Sequence, residues 1–278
     1  MEVNHGKRIK YFPGDSLACF THDTPSLIRP ATHFDPVSAR SDHPTHESAL
    51  EVAAEYLRRV RRGNETNAIR IALADLDSDV LASTLDSDSR RRAFWTNIYN
   101  AAVQETLSSD PSMYDSRYSF FRKHIIAIAG EQLSLDDIEH GILRRSMLGW
   151  GFGYIPNPFP SSFERTHRVD ELDPRIHFAL NCGAASCPPI AAYDHERLDE
   201  QFDVVTANYL EQEVAYDFDA ERAVIPRLFL WYRGDFGGRS GIRELLRQHG
   251  IIPENASPSV SYDDYDWSLS LGEFTTRT

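Results

Sequence analysis

Hydrophobic positions first fall into a helical rhythm just after Glu47. Leu50, Ala53, Ala54, Leu57 and Val60 recur at three- and four-residue steps, while Arg58, Arg59, Arg61 and Arg62 lie largely off that face. This is the pattern of an amphipathic helix, and Gly63-Asn64 ends it. Shorter helices are predicted over 65–76, on Ile69, Ala72 and Leu73, and over 79–85. The segment 90–107 is different. Phe94, Trp95, Ile98, Tyr99, Ala101, Ala102, Val103 and Leu107 cover nearly the whole circumference at ~100° per residue, which predicts a buried, central helix. Its exception is a stripe of amides, Asn97, Asn100 and Gln104, at i, i+3 and i+7 and within about 60° of one another. A buried amide without partners costs roughly 1–3 kcal/mol. These side chains therefore either satisfy loop backbone or line a pocket and orient a catalytic group.

Downstream, an apolar strand over 124–129 ends at Gly130. Ser134 is a good N-cap for a helix over 135–145, with Asp136 and Asp137 favourable in its first turn. That helix buries Leu135, Ile138, Ile142 and Ser146; Glu139 falls inside the apolar face and His140 on its flank. A carboxylate on a core face needs a charged or hydrogen-bonding partner, either a buried arginine or a catalytic site. Residues 149–168, rich in Gly, Pro and aromatics, read as a long loop or irregular hairpin able to wall a cleft. Asp194 caps a helix over 195–213. A strand over 222–226, an apolar element over 229–232, turns at Gly234 and Gly237-Gly238 around Asp235-Phe236, a helix over 242–248 and a late strand over 260–271 complete the pattern.

No repeat or linker divides these elements. They predict one α+β domain over 46–278 following an extended lead-in over 1–45. In that domain a helical N-terminal half packs on a mostly antiparallel sheet, and a papain/transglutaminase-like arrangement is one form it would take. The lead-in histidines His22, His33, His43 and His46 are scattered and read as part of an exposed polar segment. Composition is ordinary for a globular chain of 278 residues, with 41% hydrophobic and 26% charged positions, so a sizeable core forms without disulfides or metal. Net charge is −13, which argues against nucleic acid or an anionic membrane as partner. Lysine occurs only at Lys7, Lys10 and Lys123, compatible with a high-salt cytoplasm or a GC-rich genome. The first residues carry no apolar leader and no apolar run nears ~18 residues, so a cytoplasmic protein is expected, with reduced thiols.

Candidate chemistry concentrates in 173–189. His177, Cys182 and Cys187 fall within eleven residues of a chain with three cysteines. The segment runs apolar from Ile176 to Leu180, crosses the small residues Gly183 to Ser186 and stops at Pro188-Pro189, which predicts a short buried strand entering a tight turn. In an extended strand His177 and Cys182 would face opposite sides about 16 Å apart, so two pairings survive: Cys182 with His140, or Cys187 folded back against His177. Cys182 has the smaller surroundings, and Cys187 precedes a proline, so Cys182 is the preferred nucleophile.

Five patches together resemble one uncharacterised family, domain of unknown function 547. They are Ala93-Phe-Trp-Thr-Asn-Ile-Tyr-Asn-Ala101, Leu133-Ser-Leu-Asp-Asp-Ile-Glu-His-Gly-Ile-Leu-Arg144, the stretch from Asp173 to Pro189, Trp231-Tyr-Arg-Gly-Asp-Phe-Gly237 and Tyr265-Asp-Trp-Ser-Leu269. The resemblance spans about 45–272. Thr96 and Ser270 depart from the usual residues without disturbing it. It implies the domain and no particular activity.

The leading expectation is a Cys-dependent hydrolase or acyl transferase acting through a Cys-His pair. Its candidate residues are Cys182, Cys187, His177, His140, Glu139, Asn97 and Asn100, with an unidentified small molecule or peptide as substrate. One alternative is a zinc site on His177, Cys182 and Cys187, although the four-residue gaps are not those of a zinc knuckle. The other is a non-catalytic domain binding a peptide or protein through Trp150, Phe152, Tyr154, Trp231 and Tyr232. Motifs for phosphate cradles, dinucleotides, zincins and serine hydrolases are absent, and no cofactor is expected. Oligomeric state has no sequence signature here.

Overall fold

In the computed structural model, residues 46–275 are described; the lead-in with His22, His33 and His43, like Cys19, lies outside them, and His46 is the first described residue. The N-terminal half is helical. Helix α1 (His46–Arg62), α2 (Asn67–Ala74) and α3 (Ser78–Thr84) precede the long α4 (Asp88–Ser109). The predicted apolar face of α1 buries Ala53 and Leu57, together with Ala49 and Tyr56, against α4. Helix α4 is buried from Ala93 to Gln104, as its all-round apolar pattern requires. Its first turn is tied to a distant loop, where Asp88 accepts the backbone N–H groups of Asp170 and Glu171 at 2.7 and 2.9 Å.

A 3-10 turn (Pro111–Ser116) and α5 (Arg117–Arg122) lead to the hairpin of β1 (Ile126–Ile128) and β2 (Glu131–Leu133). Its two-residue turn, Ala129-Gly130, has positive φ at both positions, the geometry that matches strand twist in tight hairpins. Those two N–H groups also close the end of α2 by bonding the carbonyls of Leu73 and Ala74. Thus the predicted strand exists, and the missing partner strand follows it immediately.

The predicted helix over 135–145 is largely π-helical, Asp137–Leu143. Ser134 does cap it: its Oγ accepts the Asp137 N–H, and its own N–H and hydroxyl donate to the Asp137 carboxylate. The wider π turn is seen in Arg144 N–H bonding the Glu139 carbonyl at 2.8 Å. Within 149–168, read above as loop, α6 (Ser162–His167) forms under a capping box between Ser161 and Glu164. The segment containing His177 is a 3-10 helix, Pro174–Phe178, not the predicted strand. Asp173 accepts the Arg175 N–H and Pro174 occupies the first turn, a helix-start combination that outweighs the apolar run.

The remaining elements are α7 (Leu198–Glu213), β3 (Ala215–Asp217), β4 (Arg222–Ile225), α8 (Leu228–Trp231), α9 (Gly238–Gln248) and β5 (Ser259–Tyr262). Strands β3 and β4 pair antiparallel, and β4 and β5 parallel. The class is α+β, with strands divided between two small sheets and α4 packed chiefly on α1, the π-helix and the neighbouring 3-10 turn. The late strand is only four residues long; beyond it, Leu269 makes an isolated bridge to Ala184. One hydrophobic cluster surrounds α4 and a second is built on α7, β4, α8 and α9. No helix among the described residues is long and apolar enough to cross a membrane.

Candidate active site

A cavity of about 170 Å³ is lined by Tyr99, Glu139, His140, His177, Cys182, Cys187, Tyr232 and Tyr265, with Asp136, Trp231 and Trp267 at its walls. Five of the seven residues singled out from the sequence therefore meet in one place. They arrive on three elements, Glu139 and His140 on the π-helix, His177 on the 3-10 helix and the cysteines on the turn that follows it, and Tyr99 joins them from α4.

The two remaining candidates, Asn97 and Asn100, do not line this cavity. Each clamps backbone. Asn97 donates to the Tyr193 carbonyl and accepts its N–H at 2.8 and 2.9 Å. Asn100 donates to the Ala179 carbonyl and accepts the Asn181 N–H, both at 2.9 Å. Gln104 completes the stripe by donating to the Asn181 side chain and accepting the Gly272 N–H. Buried Asn181 then staples the cysteine turn, accepting the Gly183 N–H at 2.9 Å and donating to the Pro188 carbonyl at 2.8 Å. The stripe acts on the cavity through the backbone that carries the thiols.

That turn folds Cys187 back onto Cys182, with Cys187 N–H bonding the Ala184 carbonyl at 3.0 Å. The thiols are free and their sulfurs lie 2.7 Å apart. Cys187 Sγ also accepts the Cys182 N–H at 3.1 Å and lies 3.3 Å from the Tyr265 hydroxyl. Burial alone would raise the Cys187 thiol. Hydrogen bonds from the Cys182 thiol, Tyr265 and the backbone of Cys182 and Ala184 reverse this and hold it below the ordinary value. Cys182 is held well up, first by its hydrogen bond to Cys187 and then by burial. The sequence preference for Cys182 rested on its small neighbours; the hydrogen bonds favour thiolate character on Cys187.

The acid and imidazole groups are organised by Arg144, which is fully buried. Its Nε and Nη2 donate to the Asp235 carboxylate at 2.6 and 3.1 Å, and its Nη1 lies 2.9 Å from His140 Nδ1. A guanidinium only donates, so His140 Nδ1 is the acceptor and its lone pair is taken. His140 Nε2 lies 3.8 Å from Asp136. His177 Nε2 is 2.8 Å from Asp235 Oδ2. With an ionised carboxylate there, Nε2 carries the proton and Nδ1, which has no hydrogen bond among the described residues, keeps its lone pair. Burial lowers the His177 pKa; Asp235 opposes this and Arg144 adds to it. The imidazole stacks on the Tyr232 ring at 3.9 Å.

Glu139 accepts the hydroxyls of Tyr232 at 2.7 Å and Tyr99 at 3.1 Å. Burial would raise its carboxyl, but His140, Arg144 and the Tyr232 hydroxyl hold it below the usual range. The partner expected for this core-face carboxylate was a buried arginine. Arg144 contributes to its field, while the direct hydrogen bonds come from the two tyrosines.

Tyr99, Arg144, Asp235 and Tyr265 were not among the sequence candidates, and Tyr232 was one only for peptide binding. Asp235 had a signal in the glycines around it. A side chain at Gly153 would drive its Cβ into the Asp235 carboxylate, and one at Gly234 would strike the Gly153 backbone. The loop over 149–157 thus packs directly on this part of the site. Gly149 is similarly constrained, because a Cβ there would lie 2.6 Å from His140 Nε2. Trp150, Phe152 and Tyr154 on the same loop are exposed, whereas Trp231 and Tyr232, grouped with them in the peptide-binding alternative, line the cavity. No group of three or more His, Cys, Asp or Glu able to hold a metal ion occurs among the described residues. His177, Cys182 and Cys187, the residues of the zinc alternative, form no such group.

Residues 83–210 match the family model described as Protein of unknown function, DUF547. That segment carries α4, the π-helix, His177 and both described cysteines; Tyr232, Asp235 and Tyr265 lie beyond it. No curated protein and no solved structure matches the chain.

Proposed function

Since the chain carries a domain of unknown function 547, we propose that this domain is a Cys-dependent acyl hydrolase or acyl transferase, with Cys187 the nucleophile and His177 the base. The observation that carries the reading is the hydrogen bonding of Cys187 Sγ by the Cys182 N–H and thiol and the Tyr265 hydroxyl, in a cavity shared with an Asp-oriented imidazole. No hydrogen bond joins either sulfur to an imidazole among the described residues. The donors around Cys187 favour its thiolate directly, so the imidazole is not required to create the nucleophile.

In this reading Cys187 thiolate attacks a carbonyl carbon; the C–S bond forms, the bond to the leaving group breaks, and the leaving group departs with a proton from solvent. His177 Nδ1 then takes the proton of the water, alcohol or amine that attacks the thioester, the C–S bond breaks to release Cys187 as thiolate, and His177 returns that proton to solvent. Asp235 fixes the productive tautomer and supports the imidazolium, as a carboxylate does in acyl-transfer triads. Two features support His177 over His140: its free lone pair, and the occupation of His140 Nδ1 by Arg144. The cavity is smaller than the ~300–1,000 Å³ of typical ligand sites, which fits a side chain or short acyl group as the reacting part.

The test uses p-nitrophenyl acetate as acyl donor and iodoacetamide as thiol probe, with intact-mass and peptide analysis. Acetylation of Cys187 in folded protein is expected, with alkylation at neutral pH faster than for an ordinary thiol of pKa about 8.5. His177→Gln is expected to retain alkylation but to slow turnover of the acetyl group. Reaction only after denaturation overturns the enzyme reading in favour of a structural or binding role.

A further inference from the structure

We infer that Cys182 and Cys187 form a reversible dithiol–disulfide couple that reacts with small disulfides, so that the chain carries a redox activity in the same cavity as its proposed acyl chemistry. The inference deepens that reading, since Cys187 is the attacking sulfur in both.

Three observations carry it. First, the sulfurs are 2.7 Å apart, within about 0.7 Å of the ~2.05 Å bonding distance, and both line the cavity. Second, the turn between them is held at both ends. Asn181 bridges Gly183 and Pro188, and is itself fixed by Asn100 and Gln104 from α4. Bond formation therefore requires little backbone movement. Third, the two sulfurs are chemically unequal. Cys187 Sγ accepts the Cys182 N–H at 3.1 Å and lies 3.3 Å from the Tyr265 hydroxyl, which is 3.7 Å from Cys182 Sγ, an inequality that suits attacking and resolving thiols.

The steps balance. Cys187 thiolate attacks one sulfur of R–S–S–R; the Cys187–S bond forms, the S–S bond breaks and one thiolate leaves. The hydrogen bond to Cys187 is the main factor keeping Cys182 protonated, and it is weakened once Cys187 is in a mixed disulfide. Cys182 then loses its proton and attacks Cys187 Sγ, expelling the second thiolate. The protein gives up two hydrogens and two electrons, and the small disulfide becomes two thiols. The oxidised pair has no nucleophile for acyl transfer, so one chemistry silences the other.

The experiment treats the full-length chain in a Cys19→Ser background, which leaves only the two cavity thiols, with bis(2-hydroxyethyl) disulfide, followed by intact mass and thiol counting. The parent is expected to lose both thiols without retaining an adduct, and to recover both with dithiothreitol. Cys182→Ser is expected to stall with a 2-hydroxyethylthio adduct on Cys187, and Cys187→Ser to stay unmodified while folded. A lasting adduct on the parent, equal reaction of the two single variants, or reaction only after denaturation would overturn the couple. The same reduced and oxidised samples are then tested with p-nitrophenyl acetate. An internal disulfide without acetylation of the reduced protein sinks the acyl reading alone. Acetylation without an internal disulfide sinks the redox inference alone.

Discussion

The buried Arg144–Asp235 pair gives the sharpest quantitative prediction. Both side chains are fully inaccessible, and Asp235 accepts three hydrogen bonds, two from Arg144 and one from His177. Asp235→Asn keeps the shape and one acceptor oxygen but removes the charge, leaving a guanidinium in the interior with no counter-ion in contact. Losing one member of a buried pair costs about 3–5 kcal/mol, a fifth or more of the roughly 5–15 kcal/mol that typically holds a domain folded. Arg144→Met leaves the opposite error, a buried carboxylate, partly relieved when His177 binds a proton. In the double variant both charges are gone and the asparagine oxygen still accepts the His177 N–H. The remaining loss is then mainly packing, below about 1.5 kcal/mol for a side chain of similar bulk. Urea unfolding at pH 7, followed by tryptophan fluorescence with the slope checked for constancy, should place the double variant above either single one. If the single losses add to within about 0.5 kcal/mol, Arg144 and Asp235 do not act as a pair and the assignment of roles around them falls.

Two further predictions concern groups outside the chemistry. Buried His167 has no hydrogen-bond partner for either ring nitrogen among the described residues, and burial, assisted by Arg91, lowers its pKa from 6.5 to about 4. The unfolded chain therefore binds this proton more readily, so stability is full above pH 6.5 and is lost as pH falls toward 4. At about 1.4 kcal/mol per pH unit the gap corresponds to roughly 3 kcal/mol. His167→Leu should flatten the unfolding midpoint between pH 7 and 4.5, and an unchanged profile would show that another group governs the acid limb. Asn97→Ala and Asn100→Ala each strand a backbone donor and acceptor, costing roughly 2–5 kcal/mol. Only Asn100→Ala should also slow iodoacetamide labelling of Cys187, because only Asn100 reaches the cysteine turn; equal effects on labelling would refute the stapling role of Asn181.

The helices were legible because their hydrophobic periods are strong, and α4 above all because its apolar residues leave no solvent face. The misreadings are local. Apolar runs of five residues do not separate strand from buried helical turn, and at Ile176–Leu180 the deciding signal was Asp173-Pro174 just upstream. Glu139 and His140 stood out as polar groups on or beside a core face, an anomaly that a helical period exposes. The π turn did not, because it depends on tertiary packing of the segment. Asp235 joins His177 across 58 positions and Arg144 across 91, and no periodicity couples residues so far apart. The geometric case against pairing His177 with Cys182 assumed a straight strand, so it lapses with the 3-10 helix; the choice of Cys187 stands instead on hydrogen-bond donors.

Two imidazoles in one cavity suggest redundancy, but a single cation separates them. Arg144 uses one edge to hold Asp235 and its remaining Nη to fill the His140 lone pair. Asp235, held in place, accepts the hydrogen bond of His177 Nε2–H and leaves Nδ1 available. The same guanidinium lies over the Tyr232 ring at 4.6 Å, and that tyrosine both stacks on His177 and donates to Glu139. One buried charge thus selects which imidazole can act as a base and which carboxylate orients it, and helps keep the second carboxylate ionised. The cysteine turn is held by a separate set of amides from α4. Loss of Arg144 should therefore disable the base while leaving thiol labelling largely intact, and loss of Asn100 should do the reverse. That separation is what the sequence, with His177, Cys182 and Cys187 on one short stretch, concealed.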